Sequence, residues 1–132
     1  GRIHFTADTL WFQPSAHIDE MISRTWKNTV IQATSSDEKT LDITAKLSDD
    51  RREMTIYVAN MTDKPRQALI NIEGFNFKSR SEVQTIGDCD LNESNTYNNK
   101  ENVVFKRSEA VIAKKNSRYT FPRYSFTVIT LK

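Results

Sequence analysis

The sequence is poor in residues that staple, bend or break a chain. Its 132 residues include one cysteine, Cys89, with only three glycines and three prolines. A lone thiol excludes an internal disulfide, and a cysteine-based zinc site would need at least two further ligands nearby. Base candidates are equally scarce: His4 and His17 are the only histidines, and both lie more than seventy residues upstream of Cys89. With no supporting pattern around them, Cys89 reads as a structural or incidental thiol. No apolar run approaches the roughly 18 residues that would cross a membrane. No charged, apolar and then small-residue leader opens the sequence. The compartment stays open between cytoplasm and periplasm or exterior; an unpaired thiol suits the first without excluding the others.

Excess charge is also missing. Lysine and arginine number 19 against 17 acidic residues, a net charge of +2. The distribution is uneven: from Asn102 to Lys132 seven basic residues face only Glu109, a local +6 that leaves −4 for the first 101 residues. Such a tail could grip phosphates. Here the charges are spaced through strand-like segments with no nucleic-acid motif, so a solvated sheet face is expected, with neither nucleic acid nor membrane as partner.

What remains is enough for one core. Thirteen aromatics and an apolar fraction of 37% fit a single globular domain, although the mean hydropathy of −0.62 lies toward the polar end. Leu10-Trp11-Phe12 reads as the end of a short buried strand running into Gln13-Pro14-Ser15, and Pro is comfortable in a first helical turn. Ile18, Met21, Ile22 and Trp26 then fall on one stripe of a helix spanning Pro14 to Trp26.

From Thr29 the apolar period changes to two. Leu41, Ile43, Ala45 and Leu47 alternate with polar residues, as do Met54, Ile56 and Val58, then Ala68, Ile70 and Ile72. Further strands are expected over Thr29–Thr34, Glu82–Ile86, Val103–Lys106, Ala110–Ala113, Arg118–Phe121 and Tyr124–Leu131. Polar turns separate them, and Asn92–Asn102, with five asparagines in eleven residues, reads as an exposed crossover loop. The expected fold is all-β: an antiparallel β-sandwich or jelly roll of about eight or nine strands, with one N-terminal α-helix.

The order of motifs resembles one family. Leu41-Asp42-Ile43-Thr44-Ala45, and then Ile56-Tyr57-Val58-Ala59-Asn60, are similar to the opening of the C-terminal domain of α-L-arabinofuranosidases of glycoside hydrolase family 51. Ile86-Gly87-Asp88, Asp90-Leu91-Asn92, Asn95-Thr96-Tyr97 and Glu101-Asn102-Val103-Val104 resemble its middle segment. Phe121-Pro122-Arg123-Tyr124-Ser125-Phe126-Thr127-Val128-Ile129 resembles its closing strand. One departure is Lys100, where the family usually carries Pro before Glu101; this alters a loop's stiffness and leaves the strands untouched.

The resemblance implies a division of the chain. Residues 1–28 would be the remnant of the last strand-and-helix unit of a catalytic (β/α)₈ barrel, and residues 29–132 the sandwich. It further implies a parent enzyme that removes terminal α-L-arabinofuranosyl groups with retention, without a cofactor or metal. The expected partners are the barrel of the same polypeptide and, through the parent, an arabinose-containing polysaccharide or oligosaccharide; homo-oligomer contacts stay open.

A retaining glycosidase needs two carboxyls roughly 5 Å apart across the sugar. The family places both on earlier barrel strands, and the motifs around them have no match among Glu20, Glu38, Glu53, Glu73, Glu82, Glu93, Glu101 or Glu109. This chain alone is therefore expected to have no catalytic residue. In the intact enzyme Gln13 and Trp11, with Phe12 beside them, stand where barrel chemistry occurs and could line the sugar pocket. The plainer alternative makes Trp11 and Phe12 core and Gln13 a helix cap.

Asp88-x-Asp90 with Asn92 has the alternation of a calcium loop but lacks the Gly and downstream Glu of an EF-hand, so a turn rich in Asx hydrogen bonds is the preferred reading. Trp11, Trp26, Tyr97, Tyr119 and Tyr124 could include a sugar-stacking platform. That keeps an independent carbohydrate-binding module as the alternative function, with a small assembly domain as a third.

Overall fold

The computed structural model describes residues 1–132. Ten strands and one helix follow in order: β1 (Ile3–Phe5), β2 (Leu10–Phe12), α1 (Pro14–Thr25), β3 (Thr29–Ile31), β4 (Leu41–Leu47), β5 (Met54–Asn60), β6 (Arg66–Ile70), β7 (Arg80–Ile86), β8 (Lys106–Val111), β9 (Ser117–Phe121) and β10 (Ser125–Leu131). The first two strands form a hairpin. Six strands make one antiparallel sheet in the order β3-β4-β5-β10-β7-β8, and β6 pairs with β9 in a second. The expected all-β sandwich with one helix is what the chain adopts, with β3–β10 as its eight strands.

Alternation along the central strands sends side chains to two different layers. Met54, Ile56 and Val58 of β5 join Ala45, Leu47, Val83, Ile129 and Leu131 on one face. Ile72, Phe75, Ile112 and Phe121 close that face, with Ala68, Ile70 and Tyr119 of the smaller sheet packed against it. On the opposite face Tyr57, Ile86 and Val128 pack with Met21 of the helix and with Val103. Strand β5 is thus buried on both sides, which its polar alternates Thr55 and Tyr57 did not suggest.

The helix docks by its stripe and by polar bonds at its last turn. Met21 is fully buried, with Ile18 and Ile22 half-buried beside it. Thr25 Oγ1 donates to the Met21 carbonyl at 2.6 Å and lies 3.0 Å from the Tyr57 hydroxyl, while Thr55 Oγ1 donates to the Thr25 carbonyl at 3.0 Å. The fourth stripe residue, Trp26, lies past the helix and is 55% exposed, with the Lys46 ammonium 3.5 Å above its ring. Lys46, expected on a solvated face, is buried beneath that indole.

Two other expectations change. Val103–Lys106 and Ala110–Ala113 are not separate strands: one strand, β8, covers Lys106–Val111, and its first four side chains are exposed. Its backbone pairs with β7 from Arg80↔Val111 to Thr85↔Lys106, so ladder bonds rather than an apolar face hold it. The Asn92–Asn102 interval is not wholly exposed either, since Asn95 within it is 2% exposed.

Candidate functional site

The residues singled out for chemistry meet at the seam between the N-terminal hairpin and the sandwich. In the hairpin Ile3 pairs with Phe12, His4 with Trp11, and Phe5 with Leu10. Cross-strand partners share a face, so the hairpin has two unlike sides. The inner side carries His4 and Trp11, stacked at 5.5 Å, with the Tyr97 ring edge-on to Trp11 at 5.9 Å. The outer side carries Ile3, Phe5, Leu10 and Phe12, which are 56%, 78%, 55% and 38% exposed.

Chain direction turns at Gln13. Its extended backbone makes it the N-cap of α1, and its carbonyl accepts from Ala16 and His17. Its side chain does not cap the helix; instead it reaches across to the sandwich. Gln13 Nε2 donates to the Asn95 carbonyl at 2.7 Å, and the Asn95 amide donates to Gln13 Oε1 at 3.0 Å. Trp11 Nε1 donates to the same Asn95 carbonyl at 3.1 Å.

The Asn95 side chain completes the clasp. Its Nδ2 donates to the carbonyls of Phe12 and Val103, each at 2.8 Å, and its Oδ1 accepts from the Val103 amide at 2.6 Å. Six hydrogen bonds thus converge on one buried asparagine, four of them to residues 82 to 84 positions upstream in the chain. Burial is tolerable for this amide because both its donor and acceptor sides are satisfied. Sequence reading missed Asn95 as a functional residue, although its motif, Asn95-Thr96-Tyr97, was noticed.

The other noticed motifs meet at a second corner. Gly87 has φ +123, and a Cβ there would sit 2.2 Å from the Tyr124 carbonyl oxygen and 2.7 Å from the Ser125 Cα. Only glycine fits so close an approach in that conformation. The Asp88 amide donates to the Arg123 carbonyl at 3.0 Å, and the Arg123 guanidinium donates to Asp90 Oδ1 at 3.0 Å. Asn60, fully buried, donates through Nδ2 to the carbonyls of Lys64, Phe121 and Pro122, and its Oδ1 accepts from the Thr62 amide and hydroxyl. The strand-ending Asn, the Gly-Asp pair and the Pro-containing closing segment therefore form one backbone joint. Their chemistry is that of a hinge pin.

Asp88 and Asp90 do not act as a ligand pair: Asp90 faces Arg123, and a backbone bond from the Glu93 amide to the Asp90 carbonyl makes the turn. Nearby, an open polar depression of about 540 Å³ is lined by residues 90–94, Thr96, Asn99, Asn102 and Tyr124. Burial, reinforced by Glu93, raises the Cys89 thiol above its ordinary range. Among the glutamates, Glu20 pairs with Arg24, Glu109 with Arg80, and Glu53 with both Lys27 and Lys132. Glu93 accepts from Asn102 and Glu82 from Gln84, while Glu38, Glu73 and Glu101 are exposed. The Lys27 hydrogen bond holds the Glu53 carboxyl below its usual value, against the opposing effect of partial burial.

These features define an accessory β-sandwich whose distinctive residues hold backbone segments together and strap a hairpin and helix to the sandwich. The family follows from comparison: residues 2–125 match the model described as the α-L-arabinofuranosidase C-terminal domain, and the chain belongs to that family. No curated protein sequence matches it. Among solved structures, the GH51 α-L-arabinofuranosidase of Thermotoga petrophila RKU-1 superposes with a TM-score of 0.83 at 23% identity, over 100% of this chain and 31% of that one. An arabinose complex of the Thermotoga maritima α-L-arabinofuranosidase gives 0.87 at 22% identity, over 98% and 31%. The GH51 enzyme of Xanthomonas axonopodis pv. citri gives 0.79 at 15% identity, over 99% and 28%. The chain thus spans under a third of the length of these relatives.

Proposed function

We propose that this chain is the non-catalytic C-terminal domain of a retaining α-L-arabinofuranosidase, and that it packs on and stabilises the catalytic barrel of the same polypeptide. Residues 1–28 are then the remnant of that barrel's last strand-and-helix unit, with the β1–β2 hairpin standing at the strand-to-helix connection, and residues 29–132 form the sandwich. Gln13 and Trp11 lie at the rim of the sugar pocket of the intact enzyme, whose substrates are arabinofuranosyl groups on plant polysaccharides or their oligosaccharides.

The carrying observation is the outer hairpin face. Four large apolar side chains, Ile3, Phe5, Leu10 and Phe12, point away from the sandwich while the inner face is fixed to it. Contiguous exposed apolar surface of this kind marks a contact, and the solved relatives, of whose length this chain covers under a third, have further chain that could cover it. A binding module would instead need a flat, open aromatic platform. Trp11 and Tyr97 meet at 75°, and the Trp26 ring is capped by Lys46, which supports packing over glycan binding.

Calorimetric titration of arabinan and arabinoxylan oligosaccharides into the chain tests the reading. No saturable heat is expected; saturable binding would favour the independent carbohydrate-binding module. A Phe5→Lys, Leu10→Lys double variant should leave the chain's own melting point nearly unchanged and lower that of the full-length polypeptide. An equal effect on both would contradict packing on the barrel.

A further inference from the structure

We propose that Asn95, a sandwich residue, is a positioning residue for the parent reaction: through it the sandwich fixes Gln13 and Trp11 at the mouth of the barrel. This rests on the function proposed above. Catalytic groups of a (β/α)₈ barrel sit on the connections that leave the C-terminal ends of its strands. In the reading above the antiparallel β1–β2 hairpin belongs to such a connection, and Gln13 ends it at the start of α1.

A free glutamine or tryptophan side chain samples several rotamers, and ordering it on substrate binding costs free energy. Here that ordering is complete beforehand. Both amide atoms of Gln13 are fixed by the Asn95 backbone at 2.7 and 3.0 Å. One Nε2 hydrogen and one Oε1 lone pair remain for a hydroxyl-bearing ligand. Trp11 is fixed three ways: by its indole N–H on the Asn95 carbonyl, by the His4 stack and by the Tyr97 edge.

The residue type at 95 follows from the three side-chain bonds. It must donate to two carbonyls, those of Phe12 and Val103, and accept from one amide within a short reach. Asparagine does this. Aspartate would set a carboxylate against two carbonyl oxygens, and alanine would leave the backbone of residue 95, and with it Gln13 and Trp11, without an anchor.

The test is steady-state hydrolysis of 4-nitrophenyl α-L-arabinofuranoside by the full-length polypeptide that carries this chain. Asn95→Ala should raise KM about tenfold, since small misplacements of binding groups cost up to about a hundredfold in rate. Leu131→Ala, which thins the core on the other face of the sheet and touches neither Asn95 nor its partners, should lower the melting point and leave KM unchanged. Tyr97→Ala, at a half-exposed position, guards against misfolding of the first variant and should raise KM about threefold by freeing the edge of Trp11. Unchanged kcat and KM in both Asn95→Ala and Tyr97→Ala would overturn the positioning role alone. An inactive wild-type polypeptide would overturn the arabinofuranosidase reading, and the positioning role with it.

Discussion

Replacing Met21 by alanine tests how the helix is held. Met21 is 0% exposed and is the one helix side chain fully enclosed between α1 and the sheet, against Tyr57, Ile86, Val103 and Val128. Truncating a buried methionine to alanine costs about 2–5 kcal/mol, the spread reflecting how far the cavity collapses. Ile18 and Ile22 flank the site only half-buried and can settle partway into the gap, which places the cost near the lower end, about 2.5 kcal/mol. For a domain of this length each kcal/mol moves the melting point by roughly 3–4 °C, so a drop of about 9 °C is expected. Trp26→Ala provides the contrast: at 55% exposure it should cost under about 1 kcal/mol, its contact with Lys46 included. Thermal unfolding followed by circular dichroism reads both. Equal shifts for the two variants, or a shift below about 3 °C for Met21→Ala, would refute the packing of the stripe on the sandwich.

Three further outcomes follow from named contacts. Gly87→Ala should destabilise by about 3 kcal/mol or more, because it adds a Cβ 2.2 Å from a backbone oxygen at a positive φ; urea unfolding with a change below about 1 kcal/mol would contradict the close approach. Glu53 has a folded-state carboxyl value below its ordinary 4.5. Its ion pair therefore stabilises the fold above that value and is lost as pH falls through the lowered one. Lys27→Gln should accordingly lower the melting point at pH 7, by an amount that shrinks as the solution is acidified below pH 4.5, and a pH-independent difference would contradict the pairing. The Cys89 thiol, raised chiefly by burial, should react with iodoacetamide at pH 7.5 more slowly than in urea; equal rates would show an ordinary exposed thiol.

What the sequence revealed, and what it hid, follows from where each residue's partners lie in the chain. Strands β4, β5 and β10 carry apolar alternation in their own residues, so they were legible, as was the helix stripe from Ile18 to Ile22. Strand β8 was not, because Lys106, Arg107, Ser108 and Glu109 are all exposed and the strand exists through backbone bonds to β7. Lys46 was misread because the indole that buries it belongs to Trp26, twenty residues away. Asn95 was invisible in a run of polar residues, since its burial depends on partners 82 to 84 residues upstream. The family motifs were visible as patterns, but their physical role, close backbone joints around Gly87, Asn60 and Asn95, emerges only when distant segments meet.

The central claim is that the outer hairpin face is a contact surface for a barrel, and amide hydrogen exchange tests it most directly. Exchange over Ile3–Phe12 should be compared between this chain alone and the full-length polypeptide, with β4 and β5 as internal reference. Marked slowing of the hairpin amides in the longer protein, with the reference strands unchanged, is the expected result. Equal exchange of the hairpin in both would contradict it.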